Sequence, residues 1–212
     1  NILYQNWLRP SIDEGNFIKT QEEALEYLLK NSVILGQPKD IKLTHERRIV
    51  LDYLGNVLIR SDLNVPLSDS IVHDDYRIKK AIEIIPLIKD KSRSITFISH
   101  LGRPNSYIEE LSLKHLVSTF NKHLSEEVKF INNLEDKEIS KTLLSSNDLN
   151  IYLLENLRFY KGELNNNSSF AKKIASPFDT YIFDAFGAAH RSHASVTKIG
   201  KYLKSYQGPL VD

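Results

Sequence analysis

The sequence predicts an α/β domain built on a doubly wound parallel sheet, a Rossmann-like arrangement in which helices cover both faces of the sheet in three layers. Three observations predict this fold. Short apolar runs rich in β-branched and aromatic residues recur from residue 56 onward. These runs are continuously apolar rather than alternating, which is typical of strands buried on both faces. Segments with helical spacing of apolar residues separate several of them, and this alternation favours a parallel sheet.

The residues before this pattern, 1–55, are predicted to form an N-terminal extension that is partly helical. Thr20 and Glu23 have the spacing of a capping box, and the amphipathic run 24–30 follows them. That run predicts a short helix. The predicted organisation is therefore a short N-terminal helical extension over 1–55 and an α/β domain over 56–212.

Each element of the α/β domain follows from a local pattern. Five apolar runs are predicted as strands, at residues 57–59, 95–98, 128–131, 151–154 and 180–183. Three segments are predicted as helices, at residues 77–88, 113–124 and 168–175. In the first helix, Ile78, Ile82 and Ile85 lie near helical spacing. Ser112 precedes the second as its predicted N-cap, and the three asparagines at 165–167 are predicted to form a surface turn.

The composition excludes several function classes. The chain has 212 residues, 41% of them hydrophobic, which suffices for a well-buried domain with some accessory structure. Its formal net charge of +1 gives no general reason to expect nucleic acid or an anionic membrane as a partner. Without cysteine, disulfides, thiolate metal sites and cysteine nucleophiles are excluded. No apolar run approaches the roughly 18 residues that span a bilayer, and a cytoplasmic location is predicted.

Charged and polar side chains cluster in the segments that follow the predicted strands. They are Arg60, Asp62 and Asn64 after the first strand, His100 and Arg103 after the second, Arg158 after the fourth, and His190 and Arg191 after the fifth. Arg77 opens the first predicted helix. Ligands of open parallel sheets bind in the crevice beyond the carboxyl ends of the strands. These side chains are therefore predicted to converge on one site.

The residue types at this predicted site indicate a small anionic ligand. Several guanidinium groups in one crevice would repel one another unless an anion neutralised them. Arginine suits phosphate and carboxylate because its planar fork makes two parallel hydrogen bonds. Asp62 and Asn64 are predicted to bond a hydroxyl group of the same ligand. Any single arginine has an alternative interpretation as a solvated surface charge contributing about 0–1 kcal/mol, so the prediction depends on their joint placement.

Several functional motifs are missing from the sequence. It contains no P-loop and no glycine-rich dinucleotide fingerprint. It also lacks zinc-ligand spacing and a nucleophile elbow. No cofactor-binding residue and no metal ligand is therefore predicted in this chain.

Four tracts of the chain follow one another in a specific order. They are LIRSDLNVPL at 58–67, SHLGRP at 99–104, LLENLRF at 153–159 and DAFGAAHRSHAS at 184–195. In order and spacing these tracts resemble the hallmark tracts of the phosphoglycerate kinase family. The resemblance extends from about residue 56 to about residue 210, and four such tracts in order are highly specific.

The resemblance implies a two-lobed glycolytic kinase, a phosphotransferase with a carboxyl group as acceptor. Such an enzyme transfers a phosphoryl group reversibly between 1,3-bisphosphoglycerate and ADP, giving 3-phosphoglycerate and ATP. This chain would supply the N-terminal lobe, which binds 3-phosphoglycerate or 1,3-bisphosphoglycerate. MgATP or MgADP would bind to the C-terminal lobe, which is expected to be absent from this chain, so the chain is predicted to be inactive alone. Full-length members of the family are usually monomeric.

The resemblance also implies roles for individual residues. Arg77 is the implied catalytic residue, because its counterpart in the family stabilises the phosphoryl group in transfer, and it also contacts the substrate. The other implied substrate-binding residues are Asp62, Leu63, Asn64, His100, Leu101, Gly102, Arg103, Arg158 and Arg191. Arg60 and His190 are implied as supporting residues.

Two functions of other classes compete with this interpretation. A stand-alone phospho-acid binding or regulatory module is the main alternative, because the extension over 1–55 and the expected absence of the second lobe are unusual for the family. A nucleic-acid binder is disfavoured, because the arginines lie in loops without interleaved exposed aromatic residues and the chain has no basic excess. No membrane partner is predicted.

Overall fold

The computed structural model describes residues 53–134, 139–140, 142–143 and 149–211. Nearly all of the predicted extension, including the helix predicted at 24–30, lies outside the described residues. Within the described part of the chain, no helix has both the length and the apolar character that crossing a membrane requires.

A six-stranded sheet in which every neighbouring pair is parallel organises the domain. The strands of the described residues are β1 (Gly55–Ser61), β2 (Leu67–Ser68), β3 (Ile71–Val72), β4 (Ser92–Ile98), β5 (Val128–Ile131), β6 (Asn150–Leu154), β7 (Thr180–Asp184) and β8 (Lys204–Gln207). The order in the sheet is β5-β6-β4-β1-β7-β8, while β2 and β3 form a separate antiparallel ribbon. The chain builds outward from β1 on both sides, so the predicted doubly wound fold is confirmed.

All five predicted strands are confirmed, and β2, β3 and β8 are additional to the prediction. β8 has the polar sequence KSYQ and is only partly buried. It lies at the edge of the sheet, where a strand pairs on one side only and needs no continuous apolar run. The ribbon strands have 2 residues each, too few to show a period.

The helices agree with the sequence in part. Those lying wholly within the described residues are α1 (Tyr76–Ile82), α2 (Ile85–Ile88), α3 (Val117–His123), α4 (Lys161–Leu164), α5 (Ser168–Ala175) and α6 (Ala194–Thr197). The prediction of one helix at 77–88 is wrong, because α1 ends at Ile82 and α2 starts anew at Ile85. Pro86 lies in the first turn of α2. Proline has no backbone N–H and clashes with a preceding helical turn, so it favours a helix start.

The other two predicted helices are present. Residues 113–124 form a 3₁₀ turn followed by α3. The predicted cap is confirmed, because the Ser112 Oγ accepts the N–H of Lys114 at 3.2 Å. The α5 bounds equal the predicted ones, and the Asn167 Oδ1 accepts the N–H of Phe170 at 2.9 Å. The last asparagine of the predicted turn therefore also caps α5.

The sheet is buried between two apolar layers. The layer shared with α1, α2 and α3 includes Val57, Ile59, Ile78, Phe97 and Phe120. The layer shared with α5 and α6 includes Leu58, Ile98, Ile174, Tyr181 and Val196. Successive residues of β1 therefore point into opposite layers, which explains why its sequence is apolar without alternation. With both faces covered, the carboxyl edge of the sheet is the part left open for polar loops.

Phe97→Ala is expected to lower the free energy of unfolding by about 3–5 kcal/mol, because it leaves a cavity in a packed core. Phe97 is 0% exposed, and its ring centroid lies 5.5 Å from that of Phe120. Urea denaturation of the 212-residue chain measures the change. Leu87→Ala is the control, since Leu87 is 65% exposed, and its effect should stay within about 0.5 kcal/mol. A change of similar size in both variants would contradict the prediction.

Candidate anion-binding site

The carboxyl edge of the sheet carries a polar pocket where β6, β4, β1 and β7 end. These four strands are consecutive in the sheet, so the loops that follow them meet. The pocket has a volume of about 290 Å³ and is lined by Asp62, Asn64, Arg77, His100, Gly102, Arg103, Arg158, Gly187, Ala188 and Arg191. The fold thus brings together predicted site residues from four loops and from α1.

Four residues named from the sequence lie outside the pocket lining. The side chains of Leu63 and Leu101 are buried in the core at 0% and 2% exposure. A ligand in the pocket could meet only their main chain. Arg60 is buried beneath the pocket at 1% exposure, and His190 is exposed outside it. The roles implied for these four residues stay predictions.

The loops after β1 and β4 are bonded to each other. The Asn64 Oδ1 accepts the N–H of Gly102 at 2.8 Å, and the Asp62 Oδ1 accepts the N–H of Asn64 at 3.3 Å. Arg158 donates from Nη1 to the carbonyl oxygen of Gly102 at 2.5 Å. Gly102 has a φ of +63°, a left-handed conformation that favours glycine. These bonds hold the pocket walls in place through the main chain.

Arg77 extends from the start of α1 and forms an ion pair with Asp62. The Arg77 side chain is 49% exposed and that of Asp62 is 15% exposed. Gly187 leaves room for this pair, because a Cβ at that position would lie 2.5 Å from the Asp62 Oδ2. Close approach of Asp62 is therefore the reason that glycine is needed at this position.

Arg60 occupies the centre of a hydrogen-bond network under the pocket. Its Nε donates to the Ser195 Oγ at 3.1 Å, and its Nη2 lies 3.0 Å from the His100 Nδ1. Its Nη1 donates to the carbonyl oxygen of Ser61 and to the Ser99 Oγ, the latter at 3.3 Å. Every nitrogen of the buried guanidinium therefore has a partner.

Glu163 completes this network and was not singled out by any sequence pattern. It is 1% exposed and accepts the N–H of Ser195 at 2.8 Å and the Oγ–H of Ser195 at 2.5 Å. Burial raises the pKa of Glu163, while the charge of Arg60 and the bonds from Ser195 oppose that rise. The residue lies in α4 amid polar neighbours, where a glutamate is ordinarily a solvated surface group, so the sequence carried no signal for it.

Two further polar residues brace the loops from below. Glu155 accepts the Oγ–H of Ser112 at 2.7 Å and the N–H of Leu113 at 2.9 Å. The Asn156 Nδ2 donates to the carbonyl oxygen of Leu101 at 2.8 Å. Both belong to the tract at 153–159, yet the sequence assigned them no separate role. Their bonds fix the loop after β6 against the loop after β4.

The pocket has an excess of positive charge. Burial lowers the pKa of His100 to about 2, and the charges of Arg60 and Arg158 add to this effect, so His100 is neutral at physiological pH. Burial also lowers the pKa of Arg158, and repulsion from the charges of Arg191 and Arg60 lowers it further. The Arg158 Nε is buried without a partner in the described part of the chain. An anion in the pocket would relieve this repulsion.

The described residues contain no cluster of side chains suited to binding a metal ion. Among the described residues, no group of three or more His, Cys, Asp or Glu side chains is arranged to hold a metal ion. The sequence-based expectation of no metal ligand stays a prediction.

Comparison with known proteins gives consistent matches. The phosphoglycerate kinase family model matches residues 54–212. A phosphoglycerate kinase of Wolbachia pipientis subsp. Culex pipiens is 43% identical over 153 residues, covering 72% of this chain and 39% of that protein. One from Dictyoglomus turgidum is 39% identical over 155 residues, covering 73% of this chain and 39% of that protein. The structure of phosphoglycerate kinase from Coxiella burnetii matches with a TM-score of 0.67 and 35% identity, over 76% of this chain and 41% of that one.

The fold and the site define a Rossmann-like α/β domain with a cationic pocket at the carboxyl edge of its sheet. Because the family match spans residues 54–212, the chain belongs to the phosphoglycerate kinase family. The resemblance found in the sequence is thereby confirmed. The chain spans about two fifths of the length of the curated relatives described above.

The buried His100 and the partly buried His193 predict a loss of stability in acid. Burial lowers the folded-state pKa of His100 to about 2 and that of His193 to about 4, whereas the unfolded value is 6.5. Below the unfolded pKa the unfolded chain binds more protons than the folded chain, so stability falls as the pH is lowered. His100 is expected to cost about 2 kcal/mol of folding free energy between about pH 7 and about pH 5.

Urea denaturation across this pH range measures the effect. His100→Gln keeps an acceptor for Arg60 but cannot titrate, so its stability should depend less steeply on pH than that of the unmodified chain. His73→Gln replaces an exposed histidine and should keep the original slope. Equal slopes for the unmodified chain and His100→Gln would show that His100 is not held neutral.

Proposed function

We propose that this chain serves as the substrate lobe of a phosphoglycerate kinase and binds 3-phosphoglycerate or 1,3-bisphosphoglycerate. The enzyme transfers a phosphoryl group reversibly between 1,3-bisphosphoglycerate and ADP, as a cytoplasmic enzyme of glycolysis. The observation that carries the proposal is the convergence of Arg77, Arg103, Arg158 and Arg191 on one pocket in a member of this family. In this proposal residues 56–212 form the lobe, and 1–55 form a separate extension.

The ligand groups match the side chains of the pocket. 3-Phosphoglycerate carries a phosphate and a carboxylate, both of which accept paired hydrogen bonds from a guanidinium fork. Its hydroxyl group can bond to Asp62 and Asn64, which line the pocket together with Arg77. His100, being neutral, adds a hydrogen-bond donor without adding charge. Arg60 supports this set from beneath the pocket.

Arg77 is the proposed catalytic residue. Phosphoryl transfer depends on positioning and on neutralising charge at the transferred group rather than on a protein nucleophile. Arg77 is half-exposed, and its pairing with Asp62 holds the guanidinium at the pocket mouth. Its exchange of the Asp62 carboxylate for a phosphoryl oxygen would bring positive charge to the transferring group. The other arginines would hold the part of the substrate that does not react.

Isothermal titration calorimetry of the 212-residue chain with 3-phosphoglycerate is expected to show binding at millimolar ligand or below. Arg77→Ala and Arg191→Ala are each expected to weaken binding about tenfold or more, because a hydrogen bond to a charged group contributes about 1.5–3 kcal/mol. Arg93→Ala is the matched control, since Arg93 lies near the amino end of β4, at the opposite edge of the sheet. The affinity of Arg93→Ala for 3-phosphoglycerate should equal that of the unmodified chain.

Absence of heat from a chain shown to be folded by circular dichroism would contradict the proposed function. Equal weakening by Arg93→Ala would also contradict it, because the effect would then follow total charge rather than the pocket.

We further propose that the magnesium nucleotide of the reaction binds outside this lobe. Titration of MgADP onto the 212-residue chain is therefore expected to give no binding heat, and a coupled ATP assay should detect no turnover. The same preparation should still bind 3-phosphoglycerate, which shows that it is competent. MgADP that displaces 3-phosphoglycerate, or turnover abolished by Arg77→Ala, would contradict this division of the site.

A further inference from the structure

We propose that Glu163 and Ser195 are positioning residues for the pocket: through the buried Arg60, they hold His100 in the tautomer that presents an N–H to the bound anion. The inference rests on the proposed function, in which His100 donates a hydrogen bond to a phospho-acid. Neither Glu163 nor Ser195 lines the pocket, so their contribution passes through Arg60.

The Glu163 carboxylate sets the direction of the Ser195 hydroxyl. Glu163 accepts from the main-chain N–H of Ser195 at 2.8 Å and from its Oγ–H at 2.5 Å. A hydroxyl has a single proton, so the Ser195 Oγ turns a lone pair toward Arg60. The Arg60 Nε donates to that lone pair at 3.1 Å. The carboxylate and the guanidinium thus form a buried charge pair bridged by one hydroxyl.

His193 and Arg158 are further titratable groups near this carboxylate. The His193 Nδ1 lies 3.9 Å from the Glu163 Oε1, beyond ordinary hydrogen-bond distance. Burial and the neighbouring arginines lower the pKa of His193 to about 4, so it is uncharged at neutral pH. Ser195 and the charges of Arg60 and Arg158, rather than a charged histidine, therefore compensate Glu163.

Arg60 in turn dictates the tautomer of His100. The Arg60 Nη2 lies 3.0 Å from the His100 Nδ1. A guanidinium has donors only, so the Nδ1 must be the unprotonated acceptor and the neutral ring carries its proton on Nε2. Arg60 has little freedom to move away, because it is 1% exposed and its Nη1 and Nε have partners of their own.

The tautomer matters because His100 lines the pocket. The pocket arginines have no acceptor atoms and attract an anion in any rotamer. A neutral histidine attracts an anion only through its protonated nitrogen, and the opposite tautomer would turn a lone pair toward the ligand. Remote partners that fix a ring tautomer are a known means of tuning ligating histidines. The network under the pocket therefore keeps His100 in the tautomer that donates a hydrogen bond to the ligand.

The unmodified chain provides the first test. Long-range ¹H–¹⁵N correlation spectra distinguish protonated from unprotonated ring nitrogens, and loss of a signal in His100→Gln assigns the ring. At neutral pH we expect His100 to carry its proton on Nε2 alone. A ring protonated on Nδ1, or an even mixture of the two tautomers, would overturn the proposal without any variant of Glu163 or Ser195.

Two variants provide the second test. Ser195→Ala removes the bridging hydroxyl, and Glu163→Gln removes the negative charge of the carboxylate. Each is expected to give a mixture of His100 tautomers and to weaken 3-phosphoglycerate binding in proportion to the loss of the Nε2–H form, about twofold for an even mixture. Glu127→Gln, at an exposed glutamate just before β5, is the matched control and should retain the single tautomer and the original affinity.

Folded variants that keep a single Nε2–H tautomer overturn the proposal, even if their melting temperature falls, because a merely structural role would have that signature. If neither variant folds, the tautomer of the unmodified chain decides. Failure of the unmodified chain to bind 3-phosphoglycerate would count against the proposed function, whereas the tautomer in that same sample still tests the positioning of His100. The two proposals therefore fail by different measurements.

Discussion

Arg60 is a guanidinium buried at the carboxyl end of β1, and burying an ionised group costs several kcal/mol unless its polar atoms are paired. Its acceptors come from segments far apart in the chain: Ser61 beside it, Ser99 and His100 after β4, and Ser195 in α6. All of them must be in place at once. This single requirement aligns the ends of β1 and β4 with α6 directly beneath the pocket.

Hydrogen bonds between the loops fix the walls of the pocket above Arg60. The Asn64 side chain accepts the main-chain N–H of Gly102, and Glu155 and Asn156 brace the loops from below. These bonds fix the main chain from which the cationic side chains extend. A preorganised arrangement of charge is effective for binding an anion and for stabilising charge in a transferring group. Electrostatic preorganisation thus links the fold to the proposed phosphoryl chemistry.

How well the sequence predicted each element depended on how deeply that element is buried. Strands covered on both faces are continuously apolar and were found from sequence, whereas β8 was missed because an edge strand is partly solvated and its sequence is polar. The helix predicted at 77–88 divides near Pro86. Apolar spacing favoured one helix, but proline lacks a backbone N–H and clashes with the preceding turn, so a new helix begins there. The α5 helix was predicted in full, because its amphipathic pattern and its local cap agree.

For the site, the order of the tracts was enough to identify the family and to name the residues at the carboxyl ends of the strands. The sequence could not separate residues that line the pocket from residues beneath it: Arg158 reaches the pocket, while Arg60 and the leucine side chains at 63 and 101 are buried below it. It also gave no sign of Glu163. The protonation of His100 and the partners of Arg60 depend on burial and on groups distant along the chain. Such properties leave no local periodicity in a sequence, because they arise only when the fold brings those groups together.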